Sequence, residues 1–583
     1  MTPPPHFTSD PVMQSQSINL SATRPLAFRL RPEAKHLIIL IAVAAATMAP
    51  TLLWGIPSNH DLSNHFRFEL PFYEALRTGH LYPGWLAESN QGFGDASFRF
   101  YPPALYYVLS LAKAAAGSWY AATVLTFGAL SILAALGMYL WAREFGSSQT
   151  AMLAGILYSI APYRLNEFFQ ATLLAEFAGA AVLPFAFAFV ARICRQGGNK
   201  NIAGLAASYA LLILTHLPLA VIGSIGLGVY ALLCLQKEKR VATLAALAVS
   251  AALGLAASAS YWTTMLAELS WIRADNINPD PSVDYRKNFV LSTLSPDYLS
   301  VWWMNILLLS SLAMFWPAVI LFLKKASGSE HFQKYDRKAI LAVGWLLFLT
   351  LFMSTPLSQP LWKYVRPLQQ TQFPWRWLSV TSMAVSILMA MAIPFWTSFA
   401  RQKRRPLFVF ALGTIAISIA FSVFHIVREA TWLTPAEFEQ TVSNIPGSAG
   451  VTQWYPAWAR EPLPTMPAKV EATNRAVSIK SWEPQKRVFS VEAGVVSEAR
   501  VQTFFYPHWK AFAGNHSLAV HPDQNGILLV ELPKEATEVT LEFGEPKRSR
   551  YAAGFAFLGW GMIGGLSLRR KRLASTDVAT SMQ

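Results

Sequence analysis

Asp61 and His65 stand four residues apart in the stretch Asn59-His60-Asp61-Leu62-Ser63-Asn64-His65, a spacing that sets both on one face of a helix. A carboxylate placed there can act as a general base on an attacking hydroxyl, help that contributes about a hundred- to ten-thousand-fold. His65 would orient that carboxylate or contact a phosphate. The competing roles are an N-cap for Asp61 on the helix beginning near Leu62 and a backbone hydrogen bond for His65. Glu69, about two turns on, is expected to be solvated or paired with Arg67 or Arg77. Asp95 follows Gly92-Phe93-Gly94 and precedes Phe100-Tyr101-Pro102-Pro103. The glycines let the chain fold back, so Asp95 could return beside Asp61; the alternative is an Asx turn. His60, Asp61 and His65 are too few for a metal set. A divalent metal is compatible with this loop but not indicated, and no cofactor is assigned.

The elements that must position these residues lie in a membrane. Of 583 residues 53% are hydrophobic and 14% charged, against about 25% charged in soluble domains, and apolar runs of about twenty residues recur. The formal net charge is +15, but it does not point to nucleic acid, because the basic residues cluster between apolar runs. Arg192, Arg195 and Lys200 form one cluster, and Lys237, Lys239 and Arg240 the next. Lys324, Lys325, Arg337 and Lys338 follow, then Arg401 to Arg405 and Arg569 to Arg572. Such clusters mark cytoplasmic loops. Cys194 and Cys234 offer no disulfide framework.

Residues 1–35 then read as a cytoplasmic tail, and the first span runs from about His36 to Trp54, with no small-residue cleavage site after it. The loop 57–118 falls outside. Ala104 to Ala116 is too short to span. All basic clusters share one side only if it lies in the outer leaflet, as an interfacial or re-entrant helix. Further spans are expected at about 120–141, 149–162, 172–192, 201–217, 219–235, 241–264, 301–323, 339–354, 376–396, 406–425 and 551–568. That makes twelve, with both termini inside and residues 569–583 as a second cytoplasmic tail. Residues 426–550 alternate in polarity: Val477 to Lys480, Arg487 to Glu492 and Ile527 to Leu532 read as half-buried strands, with Asp523-Gln524-Asn525-Gly526 as a hairpin turn. The architecture expected is a polytopic α-helical membrane module, 36–425, with an extracytoplasmic β-sandwich inserted before the last helix.

Ionisable residues at the outer ends of spans are functional candidates by default. Arg164, Glu167 and Glu176 flank one such junction, with Arg164 the expected partner of Glu176, either as a site or as a structural ion pair. His216, in Thr215-His216-Leu217-Pro218, is a candidate whose alternative is a packing histidine. Arg376, between Trp375 and Trp377, can engage phosphate bidentately and stack on aromatic rings, or simply anchor the helix at the interface. Lys363 and Arg366 are further cationic candidates.

This order of features resembles the glycosyltransferase C superfamily, which places an acidic residue just after helix one, then interfacial helices and a proline-rich turn. Asp61 matches the acidic position. Tyr101-Pro102-Pro103-Ala104-Leu105 resembles a His-Pro-Pro-Leu-type turn with Tyr101 in place of His. Over most of its length the chain is similar to the bacterial YfhO-like membrane family labelled 6-pyruvoyl-tetrahydropterin synthase-related. The likeness rests on Gly79-His80-Leu81-Tyr82-Pro83-Gly84-Trp85, Gly92-Phe93-Gly94, Ala175-Glu176, Gln372-Phe373-Pro374-Trp375-Arg376-Trp377 and Phe505-Tyr506-Pro507-His508-Trp509-Lys510-Ala511. The pterin label does not carry over, since pterin synthases are small soluble zinc enzymes.

The resemblance implies an inner-membrane glycosyltransferase that moves a sugar, with inversion, from a polyprenyl-phosphate donor to an extracytoplasmic glycan, lipid or protein. Asp61 would be the base and Arg376 or a neighbour would hold the phosphate. A flippase of lipid-linked glycans and a non-catalytic glycan-binding scaffold are the rival readings. Twelve spans suit the flippase, although no inverted repeat is visible.

Overall fold

The computed structural model describes residues 31–568 apart from 60, 273–283, 293–301, 314–336, 402–404, 446–450, 452–453 and 463–464. His60, Lys324 and Lys325, Arg569 to Arg572, residues 1–30 and residues 569–583 lie outside the described residues. The expected first span is broken. Helix α1 covers Pro32–Ala46 and α2 covers Ala49–Leu53, because Pro50 has no N–H to give the preceding turn and its ring clashes with it. Next come α3 (Leu62–Arg77), α4 (Ala104–Ala116), α5 (Trp119–Arg143), α6 (Ser148–Ser159), α7 (Pro162–Phe169) and α8 (Leu174–Gln196). They are followed by α9 (Asn199–Thr215), α10 (Leu217–Cys234), α11 (Arg240–Ala257), α12 (Ala259–Glu268) and α13 (Trp302–Ala313). The chain continues through α14 (Arg337–Ser354), α15 (Gln359–Tyr364), α16 (Arg366–Gln369), α17 (Leu378–Arg401), α18 (Arg405–Glu429) and α19 (Pro435–Ser443) to the last helix, α20 (Lys547–Leu568).

Among the described residues seven helices are long and apolar enough to cross a membrane, or eight if the bent pair Ile340–Ser354 and Pro356–Tyr364 is one span. The twelve expected from the sequence are therefore not confirmed among the described residues. Helices α1, α6 and α9 have 15, 12 and 17 residues, short of the roughly twenty that a full crossing takes. The span expected at 301–323 is described only to Ala313. The one expected at 241–264 splits at Ser258, whose hydroxyl bonds back to the Gly254 carbonyl, a contact that bends helices. Pro356 turns the bent pair through 84°. Helices α8 and α17 are the buried pillars of the bundle, and they carry Glu176 and, at the entrance to α17, Arg376.

Helix α4 has 13 residues and stops at Gly117 in the left-handed conformation. Its Leu105, Tyr106 and Leu109 pack inward, while Val108 and Leu111 stay exposed. An apolar face left uncovered on a helix too short to span is what an interfacial helix presents to lipid.

Residues 470–543 form two antiparallel sheets. One has the order β3 (Val470–Ala472), β6 (Ser497–Phe504), β10 (Ile527–Leu532), β9 (Val520–Pro522). The other runs β4 (Val477–Trp482), β5 (Lys486–Val491), β11 (Thr537–Phe543), β7 (Trp509–Ala513), β8 (His516–Leu518). The expected turn joins β9 to β10, with the Asp523 carboxylate accepting from the Asn525 and Ile527 amides. Strand β4 is more exposed than expected, with Ser478, Ile479 and Lys480 all exposed. The two inner faces share one apolar core, and the first loop contributes Trp85, Phe93, Ala96 and Phe100 to it. Trp85 packs edge-on against Trp509 at 5.7 Å, and Phe93 stacks on Phe504 at 5.2 Å.

A two-residue ladder closes the structure: β1 (Ile56–Pro57) pairs with β2 (Trp432–Leu433) and ties the end of α2 to the base of the β-domain. Gly55 makes the turn with φ +111°, where a Cβ would lie 1.9 Å from the Leu433 carbonyl oxygen. Gly55→Ala is expected to cost about 2–3 kcal/mol, read as a lower unfolding temperature of the purified protein.

Candidate active site

Asp61 is the residue before α3, yet its side chain does not cap that helix. It is half-buried, and its Oδ1 accepts only a long bond of 3.4 Å from Asn64 Nδ2. The turn around it is held from outside. Thr172, between α7 and α8 and at φ +49°, accepts from the Asp61 amide at 3.2 Å and donates its hydroxyl to the Asn59 carbonyl. A non-glycine residue in the left-handed region is a strained position that the surrounding fold must enforce. The strain fixes the Asp61 backbone while leaving its carboxylate uncommitted.

His65 is buried one turn along, with its Nδ1 2.9 Å from the Tyr106 hydroxyl. The Tyr101 and Tyr106 rings lie 6.4 and 6.1 Å from the imidazole, so the backbone role is not adopted. Burial pushes the imidazole down to about 4, with the Asp61 charge opposing, so His65 is neutral at pH 7. Burial also raises the Tyr101 phenol, with the Asp61 charge raising it further and Arg376 lowering it. Both charges thus bear on the Tyr101 hydroxyl, whose ring lies 6.4 Å from the His65 imidazole.

Arg376 is held on three sides. Its Nε donates to Glu176 Oε2 at 2.9 Å, and its Nη1 donates to the Thr371 carbonyl at 2.6 Å and to Gln372 Oε1 at 3.4 Å. The guanidinium lies over Phe373 and Trp375, at 4.8 and 5.8 Å from their centroids. Its Nη2 makes no hydrogen bond among the described residues, which leaves one N–H edge for an anion. Glu176 Oε1 accepts from Tyr163 at 2.8 Å and Ser379 at 3.1 Å. Arg164 is therefore not its partner, as the sequence suggested: Arg164 pairs with Glu167 at 2.9 Å and donates to the Phe177 carbonyl at 2.6 Å. Ser379 links the two pairs by donating to Glu167 Oε1 at 2.8 Å. The exchange follows from geometry, since Arg164 and Glu167 are one turn apart on a helix.

His216 caps α10, its Nδ1 accepting from the Leu219 amide at 3.3 Å. It lies within electrostatic reach of Arg376 and His65. Lys363 and Arg366 are exposed and make no bond to this cluster. Glu69 is neither solvated nor ion-paired. It is fully buried, with Oε1 accepting from Ser110 at 2.7 Å. Asp95 does not join Asp61: it forms the alternative Asx turn, Oδ1 accepting from the Ser97 amide at 2.9 Å, with its backbone paired to Leu86 beneath the β-domain. Among the described residues no three His, Cys, Asp or Glu side chains converge as metal ligands. The sequence carried no signal for Thr172, Tyr106 or Ser379 as members of the site.

Burial lifts the Asp95 carboxyl to about 6, against the hydrogen bonds from Ser97. Its folded value lies above its ordinary 3.8, so its stabilising contribution is present below pH 3.8 and is lost as pH rises through about 6. Asp95→Asn, which keeps the acceptor oxygen, is expected to be about 1–3 kcal/mol more stable than wild type at pH 8. Thermal unfolding at the two pH values should show that gap closing towards pH 4.

No curated protein matches the sequence. Among solved structures, ArnT from Cupriavidus metallidurans bound to undecaprenyl phosphate is similar over 72% of this chain and 77% of its own. The identity is 13% and the TM-score 0.39. EmbB, the arabinosyltransferase of Mycobacterium smegmatis, is similar over 90% of this chain and 64% of its own, at 13% identity and a TM-score of 0.38. The Archaeoglobus fulgidus oligosaccharyltransferase covers 73% of this chain, which spans only 57% of that enzyme, at 12% identity and a TM-score of 0.37. The family model for the 6-pyruvoyl-tetrahydropterin synthase related domain, a membrane protein, matches residues 98–433. That match runs from the end of the first loop through Glu176 and Arg376 to the ladder at Leu433, and the chain belongs to this family of membrane proteins.

Proposed function

We propose that this protein is a membrane glycosyltransferase that moves a sugar, with inversion, from a polyprenyl-phosphate donor to an extracytoplasmic acceptor. The observation that carries the reading is the contrast between two charges. Asp61 has a fixed backbone and an uncommitted carboxylate, while Arg376 has a fixed guanidinium with one open edge. In the proposed step Asp61 takes the acceptor hydroxyl proton as that oxygen bonds to the anomeric carbon. The bond from that carbon to the phosphate oxygen breaks, and polyprenyl phosphate leaves with its new charge facing Arg376. Such an edge stabilises charge that develops in the transition state. Neutral His65 and the Tyr101 hydroxyl would orient the acceptor. Arg164 and Glu176, the residues a transport path would use, are already bound by fixed partners, which favours transfer over flipping. The membrane-facing surface of α4 would seat the donor's lipid tail at the bacterial inner membrane, with the loop and β-domain outside and both termini cytoplasmic.

The test uses purified protein in proteoliposomes with a panel of radiolabelled polyprenyl-phosphate sugars. Wild type is expected to release polyprenyl phosphate from at least one donor. Lipid movement between leaflets, with every donor left intact, would reject the reading.

A further inference from the structure

Helix α3 is buried along one side only. Leu62, Phe66, Phe68 and Phe72 pack inward, whereas Asp61, Asn64 and Arg67 are half-buried. Recurring at every third residue, these three form a row on the open side. Asn64 bridges it: its amide donates to Asp61 Oδ1 at 3.4 Å, and its carbonyl accepts from Arg67 Nη1 at 3.5 Å. Both contacts are at the long limit of hydrogen bonding. Arg67 is otherwise unused and forms no ion pair among the described residues. Its Nε is buried without a partner, and its Nη2 makes no hydrogen bond yet is not enclosed. Arg67 also bears on the Tyr455 hydroxyl together with Glu461 and Asp95, and neither acid pairs with it. Tyr455 packs on Phe504 of β6 at 5.9 Å, so this end of the row faces the β-domain, whereas Arg376 stands at the entrance to a membrane helix. Trp454 is half-buried, its ring lies 6.1 Å from that of Tyr101, and its Nε1 is open and unbonded. Two half-buried rings, Tyr101 beside His65 and Trp454 beside Tyr455, thus accompany the row from its Asp61 end to its Arg67 end. A guanidinium with unmet donors at an open face is completed by an anion from outside.

We propose that Arg67 and Trp454 form the acceptor subsite of the transfer, and that the acceptor is an acidic saccharide. Arg67 takes a carboxylate or phosphate of the acceptor, Trp454 lies against a sugar ring, and the attacking hydroxyl reaches Asp61. About 9 Å of helix separates Asp61 from Arg67, so the charged group and the attacking hydroxyl lie at opposite ends of the bound saccharide. The role as acceptor subsite rests on the transferase reading, but anion binding is measured without turnover.

Full-length protein in detergent micelles is titrated calorimetrically with trigalacturonate, with glucose 6-phosphate, with neutral maltotriose and with farnesyl diphosphate. Wild type is expected to bind at least one of the two anionic sugars and not maltotriose, and the one it binds separates a carboxylate from a phosphate source. Arg67→Gln is expected to weaken that binding by about tenfold or more, the scale of one charge-assisted contact. Its unfolding temperature should be unchanged, since the bond it loses is long. If Arg67→Gln does not fold, Arg67→Lys, which keeps the charge but not the fork, carries the test with a smaller loss in the same direction. An anionic sugar bound through Arg67, with every donor left intact in proteoliposomes, would support the anion subsite while rejecting the transferase reading. Any of three results overturns the proposal: no binding of either anionic sugar, binding that both variants leave unchanged, or a loss confined to farnesyl diphosphate, which assigns the cation to the donor.

Discussion

Asp61→Asn is expected to fold as wild type does and to lose about two to four orders of magnitude in sugar transfer, the range a general base supplies. The amide keeps the size of the carboxylate and can still receive the long bond from Asn64. The anchors of the turn are backbone atoms: the Asp61 amide on Thr172, the Asn59 carbonyl on the same hydroxyl, and the Asp61 carbonyl accepting from the His65 amide at 3.0 Å. The side chain caps nothing, so the loss of about 1 kcal/mol usual for a removed cap should not appear. Matched unfolding temperatures with transfer lost, at unchanged donor binding, would assign the proton transfer to Asp61. Equal losses of stability and activity would instead make the residue structural, and undiminished transfer would move the base elsewhere.

Glu268→Gln is expected to lower stability at pH 7 by about 1–3 kcal/mol, the cost of weakening buried charge-assisted hydrogen bonds while Arg99 keeps Glu545 at 2.6 Å, and to loosen the β-domain from the membrane helices. Glu268 ends α12 and is fully buried. Arg99 of the first loop grips it at 2.5 and 2.8 Å through Nε and Nη2, and Tyr506 donates to it at 2.8 Å. His508 lies 2.9 Å away, and Arg548, at the start of α20, 2.7 Å. Four parts of the chain therefore meet at one carboxylate. Burial alone would raise its pKa, but the hydrogen bonds from Arg99 and His508 outweigh it and hold the group well below the carboxylate range. With the folded value depressed, its contribution is present above the ordinary 4.5 and is lost as pH falls from there towards the folded value. The gap between wild type and variant should shrink on acidification below pH 4.5. Limited proteolysis within 426–550 should rise in the variant at pH 7, and a gap independent of pH would exclude the charge as the cause.

Features set by local sequence were legible before any coordinates. Apolar runs marked the long helices, and period-two alternation with an Asp-Gln-Asn-Gly turn marked β4, β5, β10 and the turn before β10. The breaks at Pro50, Ser258 and Pro356 were not, because a run of apolar residues does not show where it will be interrupted. The placement of Asp95 failed for a related reason. Two glycines allow a chain to fold back but do not say onto what, and the apolar surfaces of Trp85 and Phe93 drew that half of the loop into the β-sandwich core.

What the sequence determined alone was the class of protein, the position of an acidic residue after the first helix, and the aromatic-flanked arginine before α17. Those follow from composition, hydropathy and residue type. Only the tertiary structure decided which charges meet. Arg376 takes Glu176, 200 residues away in the chain, and thereby frees Arg164 for Glu167. Thr172 holds the Asp61 turn, and Glu268 gathers Arg99, His508 and Arg548. A buried charge must find its partner wherever the packed helices and strands deliver one, and spacing along the chain does not record that distance.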